Sequence, residues 1–271
     1  MRASNSKIQC FKSCRRKYWL RYVEGLEYKK PIEVLERGKS YHAKIEELYK
    51  EGFFTPDDNI KTNAMAMAYQ KYIYPQFPVQ SVEEWFTKLF IDHCGFKHEL
   101  IGRVDGKTPD GQIVEHKTTS SKIDESYYFN LQFDEQILMY MVAGGTNEMY
   151  YTVCQTPTIR QKKGESEEEF QQRCVDWYDE DTDSKIRVVK ITRSEKEIEE
   201  FKVYLERILS AMDCCDEAKN VYAYYRNPGN CMRFNRMCEY APICLNYDPK
   251  VEYVDFERRE KKKEEEKHEP F

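Results

Sequence analysis

Residues 101–120, IGRVDGKTPDGQIVEHKTTS, place two acids and a lysine on what reads as one short hairpin. Asp105 lies near the end of a strand-like run, a turn signal (PDG) follows, and Glu115 and Lys117 lie on the next run. Because side chains alternate between the two faces of a strand, Glu115 and Lys117 share a face and His116 points the opposite way. The turn would bring Asp105 beside the shared face.

Two carboxylates and a lysine are the groups that metal-dependent cleavage of a phosphodiester needs. Mg²⁺ and Mn²⁺ prefer oxygen ligands, and the bound ion neutralises phosphate charge and activates water. A nearby lysine can orient or deprotonate that water, or stabilise the developing negative charge. The spacing alone is weak evidence, since a solvent-facing charged hairpin produces the same pattern.

Two helical segments supply further candidates. GKSYHAKIE places His42 and Glu46 four residues apart on one predicted helix face, and the imidazole could complete the coordination of Mn²⁺. QILMY places Gln136 and Tyr140 on one face of the helix that follows the hairpin. Taken separately, each is an ordinary helical residue.

The cysteines form a second candidate site. NPGNCMRFNRMCEYAPICLNYD contains Cys231, Cys238 and Cys244 with the spacing C-x6-C-x5-C. Three thiols on an irregular segment flanked by Pro and Gly suit a metal ion or a cluster. We expect a reducing compartment, so metal binding is favoured over disulfides for this set. Zn²⁺ with the same ligands and unligated thiols are the alternatives to an iron–sulfur cluster.

Composition predicts a cytosolic protein that does not partner a membrane. Of the 271 residues, 34% are charged, mean hydropathy is −0.84, and no apolar run reaches the length of a membrane span. The opening MRASNSKIQCFKSCRRKYW lacks the apolar stretch of a signal peptide. The formal net charge is −5, yet residues 7–30 contain eight Lys or Arg and two Glu. This arm is compatible with DNA binding, although a solvated helix face would look similar.

The order of elements predicts a mixed α/β core with helical additions at both ends. Helices are expected at 5–22, 33–51, about 57–74, 126–143 and about 194–224, and strands at WFTKLFID, FKHELIGRVDG, QIVEHKT, MYYTVCQ and IRVVKIT. A polar insertion of roughly thirty residues between the last two strands is expected to be mobile. A block-charged tail without an apolar face begins at Val251 and is expected to be disordered or a frayed helix.

Taken in order, GKSYHAKIE, GRVDG, IVEHKTTS and QILMY resemble the successive motifs of RecB/AddB-type nucleases. These enzymes, with the CRISPR-associated RecB-like exonucleases, belong to the PD-(D/E)XK, restriction-endonuclease-like superfamily. SNSKIQCFKSCRRKYWLRYVEGL is similar to that family's N-terminal segment. The similarity covers residues 4–245 without the insertion at 157–185. Val104 stands where the motif's proline would precede the first acid.

The resemblance implies a role for each candidate in turn. It makes His42, Asp105 and Glu115 ligands of Mg²⁺ or Mn²⁺ and Lys117 a catalytic residue, and it gives Gln136 and Tyr140 a part in positioning DNA or the active site.

The resemblance also implies a [4Fe–4S] cluster that joins the two ends of the chain. Its ligands would be an N-terminal cysteine, Cys14, together with Cys231, Cys238 and Cys244. Cys10 lies four residues from Cys14 on the same predicted helix face and competes with it as the fourth ligand.

The predicted fold is a restriction-endonuclease-like mixed central sheet flanked by helices, with terminal helical additions joined by the cluster. One domain would span 1–250, made of an N-terminal helical part (1–78), a catalytic core (79–192) and a C-terminal helix with the cysteines (193–250), before the tail at 251–271.

The predicted function is a Mg²⁺- or Mn²⁺-dependent DNA exonuclease that acts on single strands or ends in recombination, repair or replication. It would work in the cytoplasm of a bacterium or a phage-infected cell. The sequence has no P-loop GxxxxGK[ST], so duplex unwinding would fall to a helicase or recombination partner. The alternatives are a catalytically silent nuclease fold that binds DNA or protein, and a redox or regulatory iron–sulfur protein.

Overall fold

The computed structural model describes residues 1–30, 33–218, 220–233 and 235–259. The chain divides into two compact units. The end unit consists of Met1–Pro31, Phe86–Gly102 and Glu199–Phe271, and the middle unit consists of Ile32–Trp85 and Arg103–Ile198.

Helices and strands follow one another along most of the described residues. In chain order they are β1 (Arg2–Ala3), α1 (Asn5–Ser13), α2 (Arg15–Tyr18), a π-helical turn (Trp19–Val23), β2 (Leu26–Tyr28), α3 (Glu33–Glu51), α4 (Ile60–Tyr72), β3 (Ser81–Ile91), β4 (Lys97–Lys107), β5 (Ile113–Thr119), α5 (Glu125–Leu131), α6 (Glu135–Gly144), β6 (Glu148–Gln155), α7 (Glu167–Asp179), β7 (Ile186–Thr192), α8 (Glu195–Glu217), β8 (Met232–Arg233), β9 (Arg236–Met237), α9 (Ala241–Cys244) and β10 (Phe256–Arg258).

The main sheet is mixed, with strand order β1-β4-β5-β6-β7 and β3 paired to β4. β4 and β5 are antiparallel, β5 and β6 are parallel, and β6 and β7 are antiparallel. A parallel pair needs a crossover, and α5 and α6 supply it between β5 and β6. The predicted α/β class, a mixed central sheet flanked by helices, is confirmed.

The core of the middle unit fixes α3 against the sheet. Tyr41, Ile45 and Leu48 recur at helical spacing on α3 and are fully buried, as are Tyr69 of α4 and Val114 of β5. Burying each large apolar side chain contributes roughly 1.5–3 kcal/mol. His42 follows Tyr41 on α3, so its backbone is held firmly at the sheet.

The insertion at 157–185, expected to be mobile, contains the 13-residue helix α7. Phe170, Cys174 and Tyr178 lie four residues apart on this helix and are buried. Ser166 begins the helix with a capping box. The sequence did not reveal this helix because its single apolar stripe lies in a strongly charged segment.

Other element boundaries also differ from the sequence-based expectations. The helix expected at 5–22 is interrupted at Cys14, whose backbone is extended with φ −165° and ψ 117°. The helix expected at 126–143 is two helices, α5 and α6, and the one expected to reach 224 ends at Glu217.

Part of the expected C-terminal tail is folded. Phe256–Arg258 forms β10, which pairs antiparallel with β2, and Phe256 is buried against Tyr28 and Tyr240. Residues 260–271 of the predicted tail lie outside the described residues. Across the described ranges, no helix has the length and apolar character needed to span a membrane.

Candidate active site

The β4–β5 hairpin sets the two acids of the sequence pattern beside each other. Its register pairs Gly106 with Val114, and Asp105 and Glu115 are the next residues along each strand beyond that pair. The turn depends on Gly111, whose φ of +82° lies in the left-handed region that glycine adopts without strain. The predicted hairpin thus delivers both carboxylates to one place.

His42 reaches Asp105 from α3. Its Nδ1 lies 3.1 Å from Asp105 Oδ1, and the other oxygen, Oδ2, accepts a 2.7 Å hydrogen bond from the backbone N–H of His116. One potential ligand atom each from His42, Asp105 and Glu83 lies within 4.8 Å of the other two. The group combines an imidazole with two carboxylates, a donor set that suits Mn²⁺ or Mg²⁺.

Glu83 is a candidate ligand that sequence reasoning missed. It lies on β3 with a φ of +57°, a left-handed conformation that costs free energy in a residue with a side chain. Its carboxylate forms an ion pair with Arg103. Burial raises the pKa of Glu83, and the charge of Arg103 opposes that rise. The signal that identifies Glu83 as a candidate ligand is its left-handed backbone next to the other two ligands, and this signal is present only in the structure.

Glu115, Lys117, Gln136 and Tyr140 form one hydrogen-bonded network. Lys117 Nζ donates to Glu115 Oε1 and, at 2.8 Å, to Gln136 Oε1. Gln136 Nε2 donates to Glu115 Oε1 and to Tyr140 Oη, both at 2.8 Å. Tyr140 Oη donates at 2.8 Å to the carbonyl oxygen of Arg103. The helix α6 therefore fixes the orientation of the lysine and the glutamate.

The second carboxylate oxygen of Glu115 is open to a ligand. Glu115 is only 2% exposed, and its Oε2 is buried without a hydrogen-bond partner among the described residues. A buried carboxylate oxygen without a partner is costly, and a cation would remove that cost. The residues present therefore fit a divalent metal ion, which Asp105, Glu115, His42 and Glu83 could hold.

The carboxyl groups of Glu115 and Asp105 have pKa values shifted in opposite directions. Burial, reinforced by the negative charge of Asp105, raises the pKa of Glu115 to about 8. Burial would also raise the pKa of Asp105, but the hydrogen bond and charge of His42 lower it to about 2. The pKa of His42 is raised, because its hydrogen bond to Asp105 and the charge of that group outweigh the effect of burial. The site thus holds protons that a cation could displace.

Lys117 and His116 have different environments on the same strand. Burial would lower the pKa of Lys117, but the charge and hydrogen bond of Glu115 raise it, so the ammonium is charged at neutral pH. The His116 ring is turned away to Thr152, with Nδ1 2.6 Å from Oγ1, and burial lowers its pKa to about 4. His116 contributes its backbone N–H to Asp105 rather than a ring nitrogen.

The end unit contains a separate cavity lined by thiols. Cys14, Cys231, Cys238 and Cys244 all line one cavity of about 400 Å³. Basic side chains also line it, among them Lys17, Arg226, Arg233 and Arg236. These cations would offset the negative charge of a thiolate-ligated cluster.

The break at Cys14 turns this residue towards the cavity. Asn227 donates its backbone N–H to Cys14 Sγ at 3.4 Å and its side-chain amide to the carbonyl oxygen of Ser13 at 3.0 Å. Cys10 is buried and absent from the cavity lining of the described residues, and burial raises its pKa to about 11. The geometry therefore favours Cys14 over Cys10 as the N-terminal member of the set.

Comparison with known proteins identifies similarity in the first third of the chain. Residues 2–90 match the family described as the PD-(D/E)XK nuclease superfamily. This segment includes His42 and Glu83 and ends before Asp105. A search of curated proteins gave no match.

Three of the solved structures that match the chain show weak similarity to it. The protein SSO0001 gives a TM-score of 0.42 at 14% identity, with 77% of this chain and 75% of that chain covered. A phage-related exonuclease from Haemophilus somnus 129PT gives 0.32 at 16%, covering 64% and 83%. An alkaline exonuclease from Laribacter hongkongensis gives 0.31 at 15%, covering 66% and 81%.

The family match and the observed architecture point the same way. Residues 2–90 are similar to PD-(D/E)XK nucleases. The mixed sheet flanked by helices is consistent with the restriction-endonuclease-like fold of that superfamily.

Proposed function

We propose that this chain is a Mg²⁺- or Mn²⁺-dependent DNA nuclease, an exonuclease acting on single-stranded DNA or on DNA ends. The observation that carries the proposal is the meeting of His42, Glu83 and Asp105 beside the Glu115–Lys117 pair. The similarity of residues 2–90 to PD-(D/E)XK nucleases supports it. The RecB/AddB-like order of motifs supports the nuclease assignment.

Each residue would have a defined part in hydrolysis. When bound, the cation would supply neutralisation of phosphate charge and acidification of a water molecule. Asp105, Glu115 and His42, with Glu83, would hold it. The Lys117 ammonium would donate to the attacking water and the phosphate oxygens, stabilising the negative charge that develops. Gln136 keeps that ammonium in place, and Tyr140 orients Gln136.

Digestion of end-labelled single-stranded and duplex DNA with Mg²⁺ or Mn²⁺ tests the proposal. We expect Asp105→Asn and Lys117→Ala to lower the cleavage rate by roughly 10²–10⁴-fold, because each removes a group that acts on the transition state. Lys122→Ala is the matched control, since Lys122 is an exposed lysine on the same unit. Equal rates in all variants would refute the assigned site. Tight DNA binding without metal-dependent products would favour the catalytically silent binding module.

We also propose that Cys14, Cys231, Cys238 and Cys244 hold a [4Fe–4S] cluster with a structural role. The support is their placement around one cavity with four cationic side chains. Metal analysis and visible absorbance of protein purified without oxygen provide the test. A colourless protein with stoichiometric Zn²⁺ would replace the cluster with a zinc site on the same thiols.

A further inference from the structure

An exposed tryptophan lies beside the proposed metal site. Trp85 is 55% exposed and follows Glu83 by two residues on β3. The Arg103 guanidinium, on β4, lies 5.7 Å from the centroid of its indole ring, within cation–π range. An exposed indole partly covered by a half-exposed guanidinium presents both an aromatic face and a positive charge to solvent.

The Trp85–Arg103 pair is built into the same structure as the metal ligands. Arg103 forms an ion pair with Glu83 and lies two residues before Asp105, so the two side chains share a face of β4. The Arg103 carbonyl oxygen accepts the 2.8 Å hydrogen bond from Tyr140. The position of this pair is therefore fixed relative to the ligand group.

We propose that Trp85 and Arg103 bind a nucleotide adjacent to the scissile phosphate of single-stranded DNA. An unpaired base stacks on the indole, and the guanidinium contacts a backbone phosphate. Charge complementarity selects a polyanion, and the aromatic face selects unpaired bases, because paired bases within a duplex already stack on their neighbours. The inference rests on the proposed nuclease function and names the substrate form that its site accepts.

Binding of fluorescent single-stranded oligonucleotides, each with one abasic residue at a different position, tests the stacking contact. All proteins carry Lys117→Ala and contain Mg²⁺, so that the strand is not consumed. We expect one abasic position to weaken binding by roughly 5- to 150-fold, the value of one base–aromatic stack. Adding Trp85→Ala should weaken binding of the intact strand by a similar factor and abolish sensitivity at that position. Trp85→Phe should restore most of the affinity for the intact strand and most of the sensitivity at that position.

Three further measurements complete the test. Phe53→Ala removes a 59% exposed aromatic of the same unit and should leave binding unchanged. Arg103→Gln should reduce the slope of log K against log salt by about 0.7, the value for one phosphate contact on a single strand. A blunt duplex should bind equally well with or without Trp85. An equal loss on the duplex would overturn the inference.

The outcomes separate this inference from the nuclease proposal. Single-strand binding that is indifferent to Trp85→Ala, with metal-dependent cleavage by the wild type, overturns the stacking site alone. Trp85-dependent binding without wild-type cleavage supports the stacking site and refutes the nuclease. Neither binding nor cleavage by the wild type overturns both.

Discussion

Replacing Glu115 by glutamine should stabilise the metal-free protein, although it removes a proposed metal ligand. Glu115 is buried beside Asp105, and burial with that neighbouring charge raises its pKa from 4.5 to about 8. Glutamine keeps the oxygen that accepts from Lys117 and Gln136 and carries no charge to bury. Burial of the Glu115 carboxyl beside Asp105 therefore favours a bound cation and destabilises the metal-free protein.

The size of the effect follows from linkage between protonation and folding. The folded pKa lies above the unfolded one, so the contribution of Glu115 to stability is fully present below about pH 4.5 and is lost as pH rises through about 8. At about 1.4 kcal/mol per pKa unit, about 3 kcal/mol is lost by pH 7 and less than about 1 kcal/mol at pH 5. For a chain of this size, 3 kcal/mol corresponds to a Tm change of roughly 6–12 °C.

Thermal unfolding of Glu115→Gln and wild type in EDTA at pH 5 and pH 7 measures this difference. The variant should have the higher Tm at pH 7 and nearly the same Tm at pH 5. Glu51→Gln, at an exposed glutamate of the same unit, should shift Tm by no more than about 2 °C at either pH. A variant that is no more stable than wild type at pH 7, or equally stabilised at both pH values, would refute the reasoning.

Adding Mg²⁺ should narrow the Tm difference between the two proteins at pH 7. A cation at 100 times its Kd stabilises the wild type by about 2.7 kcal/mol, whereas the variant lacks one carboxylate ligand and gains less. Metal binding needs ionised Glu115, so the Mg²⁺-induced Tm shift of the wild type should increase from pH 6 to pH 9. A shift of equal size in both proteins would exclude Glu115 as a ligand.

Three further predictions concern other parts of the molecule. Glu83→Gln should weaken Mg²⁺ binding by at least roughly 10-fold in a thermal-shift titration, and unchanged affinity would remove it from the ligand set. Gly106→Ala should lower the free energy of unfolding in urea by roughly 1–3 kcal/mol, because a Cβ would lie 2.6 Å from Val79 Cγ1. A variant as stable as the wild type would contradict this packing. Cys231→Ser should abolish iron content and visible absorbance, whereas Cys94→Ser, at an exposed thiol, should retain both. Iron retained in Cys231→Ser would contradict the proposed ligands.

The local pattern of the hairpin was sufficient to place its acids and its lysine. Strand alternation predicts that Glu115 and Lys117 share a face, and the structure joins them by a hydrogen bond. A turn signal between two short strands also predicts an antiparallel pair, which brings Asp105 beside Glu115. These relations span a few residues and follow from backbone geometry, so they can be predicted from a single sequence.

Glu83 and Cys14 required the structure because their conformations depend on distant parts of the chain. Glu83 lies on a different strand from Asp105, and its left-handed backbone has no glycine to signal it. At Cys14 neither glycine nor proline marks the helix break. The carbonyl oxygen of Ser13 accepts instead from the side chains of Asn227 and Asn230, more than 200 residues later.

The construction of the end unit from three separate chain segments has a consequence for folding during synthesis. Residues 32–85 and 103–198 of the middle unit are all made before the last segment of the end unit begins at residue 199. At 5–20 residues per second, roughly 10–50 s separate the synthesis of Cys14 from that of Cys244. For that interval, Phe11 and Trp19 lack the C-terminal residues that complete their unit. The whole middle unit is therefore synthesised before the C-terminal segment that completes the surroundings of the N-terminal helices.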